Sequence, residues 1–144
     1  MTYPNEILKG IPNSDFIDEY ESPTSNLFYF NKRKTLQQRA DGFREESICW
    51  RDNEEAVEIL LNQKKDLTLQ FKAGIAVLSK HEIDILKNRP MIKQKLTYER
   101  NEVPGNKYHG NLLLKDDVPD RVMKKIAANI ALCCFKYTIP NYNK

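Results

Sequence analysis

His109 is the side chain whose neighbours best equip it for chemistry. It stands in Val103-Pro104-Gly105-Asn106-Lys107-Tyr108-His109-Gly110-Asn111-Leu112-Leu113-Leu114, which gathers two of the five glycines and one of the two histidines of the chain. Glu99 lies a short way upstream, and a carboxylate beside an imidazole orients the ring and raises its basicity. That pair suits general acid or base catalysis, with Glu99 as orienter and His109 as the proton carrier. Asn106 and Asn111 bring amides that can donate to a carbonyl or phosphoryl oxygen, and Tyr108 adds a phenol. Gly110 would let a ligand or a second backbone approach closely. Together these residues describe a hydrolase or nuclease acting on a phosphoester. The competing reading is structural: His109 satisfies the polar ends of a turn, and Asn106 bonds its own loop, as asparagines do. No nucleophile elbow, glycine-rich phosphate loop or metal-ligand cluster accompanies the stretch, so neither a cofactor nor a metal is expected.

Two basic stretches carry a weaker signal. Lys32-Arg33-Lys34 could contact phosphate, and Lys87, Arg89, Lys93 and Lys95 form the most basic segment. Three adjacent cations grip phosphate only when others converge on them, so solvated loops are the favoured reading. Tyr98 and Tyr108 read as sheet surface rather than as base-stacking platforms, because a nucleic-acid reader would interleave more arginine. A net charge of +3 falls short of the clustered excess of a dedicated nucleic-acid binder. The cysteines, Cys49 and the adjacent Cys133-Cys134, lack both disulfide-framework and C-x-x-C spacing. They read as reduced, buried thiols of a cytoplasmic protein.

These residues must be held by one domain, since 144 residues is a single-domain length with enough chain to bury a core. No apolar run approaches a membrane span, and Met1-Thr2-Tyr3-Pro4 does not start a secretory signal. Residues 1–26, broken by Pro4, Gly10, Pro12 and Pro23, read as an arm packing on a domain of residues 27–144. Leu27-Phe28-Tyr29-Phe30 and Glu45 to Trp50 read as strands. Asp52, followed by Glu54 and Glu55, predicts the N-cap of a helix over about 53–64. Alternation from Leu67 to Phe71, running into Ala73 to Leu78, predicts a strand. Ser79-Lys80-His81-Glu82 is a capping box for a short helix with His81 exposed. Leu96 to Arg100 and Tyr108 to Lys115 are too closely linked for a parallel crossover, so they form a hairpin turned by Pro104-Gly105. Pro119 then opens an amphipathic helix over about 119–134 with Met123, Ile126, Ala127 and Ile130 on one face. The expected class is α+β: one domain, a mixed or mainly antiparallel sheet and about three helices.

Pro104-x-Asn106-x-x-His109-x-Asn111-Leu112, on a strand leading to a terminal helix, resembles a pattern in small bacterial proteins, some of which accompany mobile or defence genes. The resemblance spans about residues 70–134 and implies a bacterial protein that acts with a neighbour. With no complete active site, the leading functional expectation is a non-enzymatic accessory or interaction subunit of a cytoplasmic assembly, defence-related on the strength of that resemblance. It would work with a protein partner or as a homo-oligomer. The alternatives are the His109-dependent phosphoesterase and a weak nucleic-acid binder.

Overall fold

A computed structural model describes residues 3–30 and 42–142, with backbone alone over 135–138. In chain order the elements are β1 (Glu6–Ile11), two 3-10 turns (Ser14–Phe16 and Ser25–Phe28), β2 (Phe43–Trp50), α1 (Glu54–Asn62), β3 (Lys64–Lys65) and β4 (Thr68–Leu69). There follow β5 (Gly74–Ser79), α2 (Lys80–Lys87), β6 (Leu96–Arg100), β7 (His109–Lys115), α3 (Asp120–Leu132) and β8 (Cys134–Ile139). Six strands make one sheet in the order β6-β7-β2-β1-β5-β8, and β3 and β4 form a separate small hairpin. Every pairing is antiparallel, and the α+β class with three helices is the observed one.

Alternating side chains of the sheet feed two cores. On one face Ile7, Ile11, Ile48, Trp50, Leu78, Leu96, Leu112 and Leu114 pack with Ile83 and Leu86 of α2 and with Met123, Ile126 and Ile130 of α3. On the other, Leu8, Cys49, Ile75 and Val77 meet Ala56, Val57 and Leu60 of α1. The buried rows on both faces explain why β5 reads as an unbroken apolar run.

Several elements differ from the sequence reading for identifiable reasons. Residues 6–11, expected in an arm, form β1 between β2 and β5 inside the sheet. Leu27 to Phe30 is not a strand: Leu27, Phe28 and Phe30 are all buried, a spacing that a helical turn satisfies and a period-2 strand does not. Asp52 does not cap α1, because its two carboxylate oxygens take the Arg100 guanidinium at 2.7 and 2.8 Å, and Asn53 occupies the cap position. α1 ends at Asn62, and Lys64-Lys65 instead enter the β3–β4 hairpin through left-handed Asp66 (φ 52) and Leu67 (φ 69). Ser79 caps α2 as read, with Glu82 N donating to its hydroxyl at 3.3 Å, but its own N–H donates to Cys133 O at 3.0 Å rather than closing the box on the Glu82 side chain. Gly105, at φ 85 after Pro104, makes the expected type II turn, closed by Asn106 N to Val103 O at 2.9 Å. Pro119 caps α3 rather than starting it.

Candidate functional site

The β6–β7 ladder sets Glu99 opposite Asn111 and Arg100 opposite Gly110. His109 therefore lies one pair beyond β6, where its N-terminal neighbour in space is the Asn101 carbonyl, 2.8 Å from Nδ1. Glu99 accepts from Asn111 Nδ2 at 2.8 Å, so the expected Glu99–His109 pair is replaced by two separate hydrogen bonds. The register is the cause: Glu99 pairs with Asn111, so it is offset from His109 by two residues along β7, roughly 7 Å of strand rise.

The other members of the central stretch are mostly committed to holding it together. A Cβ on Gly110 would overlap the Trp50 indole nitrogen and the Glu99 carbonyl, and Trp50 Nε1 donates to that carbonyl at 3.1 Å. Gly110 thus serves close packing rather than ligand approach. Tyr108, buried, donates its hydroxyl proton to Glu55 at 3.2 Å and accepts from Asn53 Nδ2 at 3.1 Å, tying the start of α1 to the hairpin. Asn106 is buried and accepts from Tyr108 N at 3.0 Å, the local loop bond that the structural reading expected. Asn111 is fully buried, and its side-chain oxygen has no hydrogen-bond partner. Lys32, Arg33 and Lys34 lie outside the described residues. In the second basic stretch, Lys87 sits 4.5 Å from the centre of the Tyr98 ring and Arg89 donates to Asn129 at 3.4 Å.

Cys49 stands directly opposite His109 in the β2–β7 ladder. A thiol and an imidazole in that arrangement would make a nucleophile if they faced each other. Here Sγ lies 3.9 Å from the Ala56 carbonyl and 3.9 Å from Asn106 Oδ1, and burial pushes the thiol up to about 11. A protonated, sealed thiol neither attacks nor ligates. Among the described residues, no group of three or more His, Cys, Asp or Glu side chains is placed to hold a metal.

What His109 does face is a break in the sheet. β1 pairs with β5 from Glu6 to Ile11, and β2 pairs with β7 from Phe43 to Cys49. Between them, β1 and β2 pair only as Ile7 with Trp50 and Leu8 with Cys49. At the next position Lys9 turns into the gap and donates to Ser47 O at 2.8 Å and to the Glu46 carboxylate. The sheet is a fork whose crotch is bridged by one lysine. Burial raises the Glu46 carboxyl above its ordinary 4.5, outweighing the opposing pull of Lys9.

The fork opens on a cavity of about 470 Å³ lined by Lys9, Phe16, Tyr29, Glu46, Gln70 and Phe71, among others. A second hollow of about 450 Å³ lies between the end of α1 and the Val103–Asn106 turn, with Lys64 on its wall. Gln63, Asn106 and His109 line both, so the two hollows adjoin at these residues, and together they are called the trough. Asn106 and His109 were thus legible in the sequence; Gln63, Lys64, Lys9 and Glu46 were not. The one trace of them is Lys9 itself, a charge set among Ile7, Leu8 and Ile11 in the apolar part of β1 that follows Glu6.

On the opposite face a cation-aromatic cluster covers the joined end of the fork. Tyr3, Trp50 and Tyr98 meet in tilted and edge-to-face contacts with ring centres 4.5 to 5.3 Å apart. Asp84 accepts from Tyr98 at 2.7 Å and from Lys80 at 2.7 Å. Burial would raise the Asp84 carboxyl, but these hydrogen bonds outweigh it and hold it below the usual range. The same arrangement, burial first, pushes the Tyr98 phenol up. The cluster reads as a clasp.

No protein-family model matches this chain, and no curated protein or solved structure resembles it closely enough to carry a role across. No helix among the described residues is long and apolar enough to cross a membrane.

Proposed function

We propose that the chain is a non-enzymatic interaction subunit of a bacterial cytoplasmic assembly, and that the trough at Gln63, Asn106 and His109 is its recognition site. The observation that carries the reading is the fork. Ending a ladder in the middle of a sheet forgoes backbone hydrogen bonds, and here the gap becomes an open, polar-walled trough. Its thiol neighbour is sealed and, among the described residues, no carboxylate is shown bonded to its histidine, which favours binding over covalent chemistry. The defence-related setting is supported by the Pro104 to Leu112 resemblance alone. Co-expressed with the products of neighbouring genes, the chain should co-migrate with one of them, and a Gln63→Ala/His109→Ala variant should lose that association while remaining folded. A strictly monomeric, partner-free chain would contradict the proposal.

One observation favours a second reading, the His109-dependent phosphoesterase. Anchoring Nδ1 on the Asn101 carbonyl fixes the ring and leaves the other nitrogen for a substrate or water. Hydrolysis of a phosphodiester by the purified chain, abolished in a folded His109→Ala variant, would establish it; equal rates in both would remove it.

A further inference from the structure

We infer that the trough takes a mononucleotide, with the base in the fork and the phosphate beside Lys64. The inference rests on the trough being a recognition site, but not on the existence of a protein partner.

The two halves of the trough differ in charge. Among the described residues on the wall of the fork, the only lysine and the only carboxylate are Lys9 and Glu46, and they are paired with each other, so their charges cancel. Phe16, Tyr29 and Phe71 give it flat apolar walls, which suit stacking against a heteroaromatic ring. The other half has Lys64 and His109 on its wall and, among the described residues, no carboxylate. A ligand that fits both has an uncharged planar head and an anionic tail.

The amides make the head more specific. Gln63 Nε2 donates to Gln70 Oε1 at 2.7 Å. That bond uses the donor end of Gln63 and the acceptor end of Gln70. It leaves the Gln63 carbonyl oxygen and the Gln70 amino group, an acceptor and a donor carried side by side. Adjacent donor and acceptor atoms are what the edge of a nucleobase presents, and glutamine amides pair with such edges in two-bond fashion. The phosphate would then meet the Lys64 ammonium as a point charge. Each hollow, about 470 and about 450 Å³, falls within the range of small-ligand sites.

The test is calorimetric titration of the full chain at low salt with AMP, GMP, CMP and UMP, each against its own nucleoside and against inorganic phosphate. At least one nucleotide should bind about tenfold or more tighter than both its nucleoside and phosphate. Lys64→Ala, at an exposed position that the fold does not need, should weaken that nucleotide by about tenfold and leave the nucleoside unchanged. Gln70→Leu should weaken nucleotide and nucleoside alike while leaving phosphate binding as it was. The inference is overturned if no nucleotide outbinds inorganic phosphate, or if Lys64→Ala binds the nucleotide as the wild type does. Because no second protein is present in the cell, these results are independent of whether a partner is ever captured.

Discussion

The joined and open ends of the fork are built from the same two strands, one residue apart, and they are chemically opposite. At the joined end Ile7 faces Trp50 and Leu8 faces Cys49, all four fully buried, with the Tyr3–Trp50–Tyr98 cluster laid over one face and α1 over the other. At the open end the next pair is never made. Lys9 reaches across to Ser47 O and Glu46 instead, and Phe16, Tyr29, Gln63, Gln70 and His109 line the space beyond. The joined end has every reason to be rigid, because its hydrogen bonds and apolar area are both saturated. The open end retains polar groups with spare capacity in reach of solvent, which is what recognition requires. Stability and binding are therefore separated along a single pair of strands.

Substitutions can sharpen or break this contrast. The largest effect belongs to the joined end: Trp50→Ala should cost roughly 3–5 kcal/mol in chemical denaturation, since the side chain is fully buried and supports both Tyr3 and Tyr98. Lys9→Met comes next. It leaves the Glu46 carboxylate without its partner, and should cost about 2–3 kcal/mol, somewhat below a fully sealed pair because a cavity adjoins it. Adding Glu46→Leu should restore most of that loss, because two apolar side chains remove the stranded charge. A single substitution as harmless as the double would show that the lysine does not bridge the crotch.

A third prediction concerns pH. The folded Glu46 carboxyl titrates above its ordinary 4.5, so on raising the pH the unfolded chain loses this proton first. Stability due to Glu46 is then complete below that ordinary value and declines as pH rises through the raised one. Wild type minus Glu46→Gln, measured by denaturation across mildly acidic pH, should show a difference that falls with rising pH; a flat or rising difference would mean that Lys9 dominates the carboxyl. The smallest effect is expected where the two hollows adjoin. His109→Ala should change stability by less than about 1 kcal/mol, since the half-buried ring makes one hydrogen bond to a backbone carbonyl.

The elements were legible wherever local signals agreed. The cap at Ser79, the Pro104-Gly105 turn and the apolar face of α3 each announce themselves within a few residues, and the hairpin follows from loop length. Residues whose fate depends on distant partners were not. Asp52 has the look of a helix cap but is taken by Arg100, and Gly110 has the look of a ligand contact but makes room for Trp50. The trough shows the same division. His109 and Asn106 stand out because one of only two histidines falls three residues after an asparagine that follows a Pro-Gly turn. Lys9, Glu46, Gln63 and Gln70 meet only because β1 and β2 part, and where a ladder ends is a property of the whole sheet that no short window contains.

The fork itself is the claim on which the trough depends, and cross-strand nuclear Overhauser effects between backbone protons of β1 and β2 test it most directly. Contacts should link Ile7 with Trp50 and Leu8 with Cys49, and none should link Gly10 with Ser47 or Ile11 with Glu46, the pairs that the same register would make after Lys9 with Ile48. Contacts at those two further pairs would mean that the ladder runs on, that the sheet is whole, and that the trough does not exist.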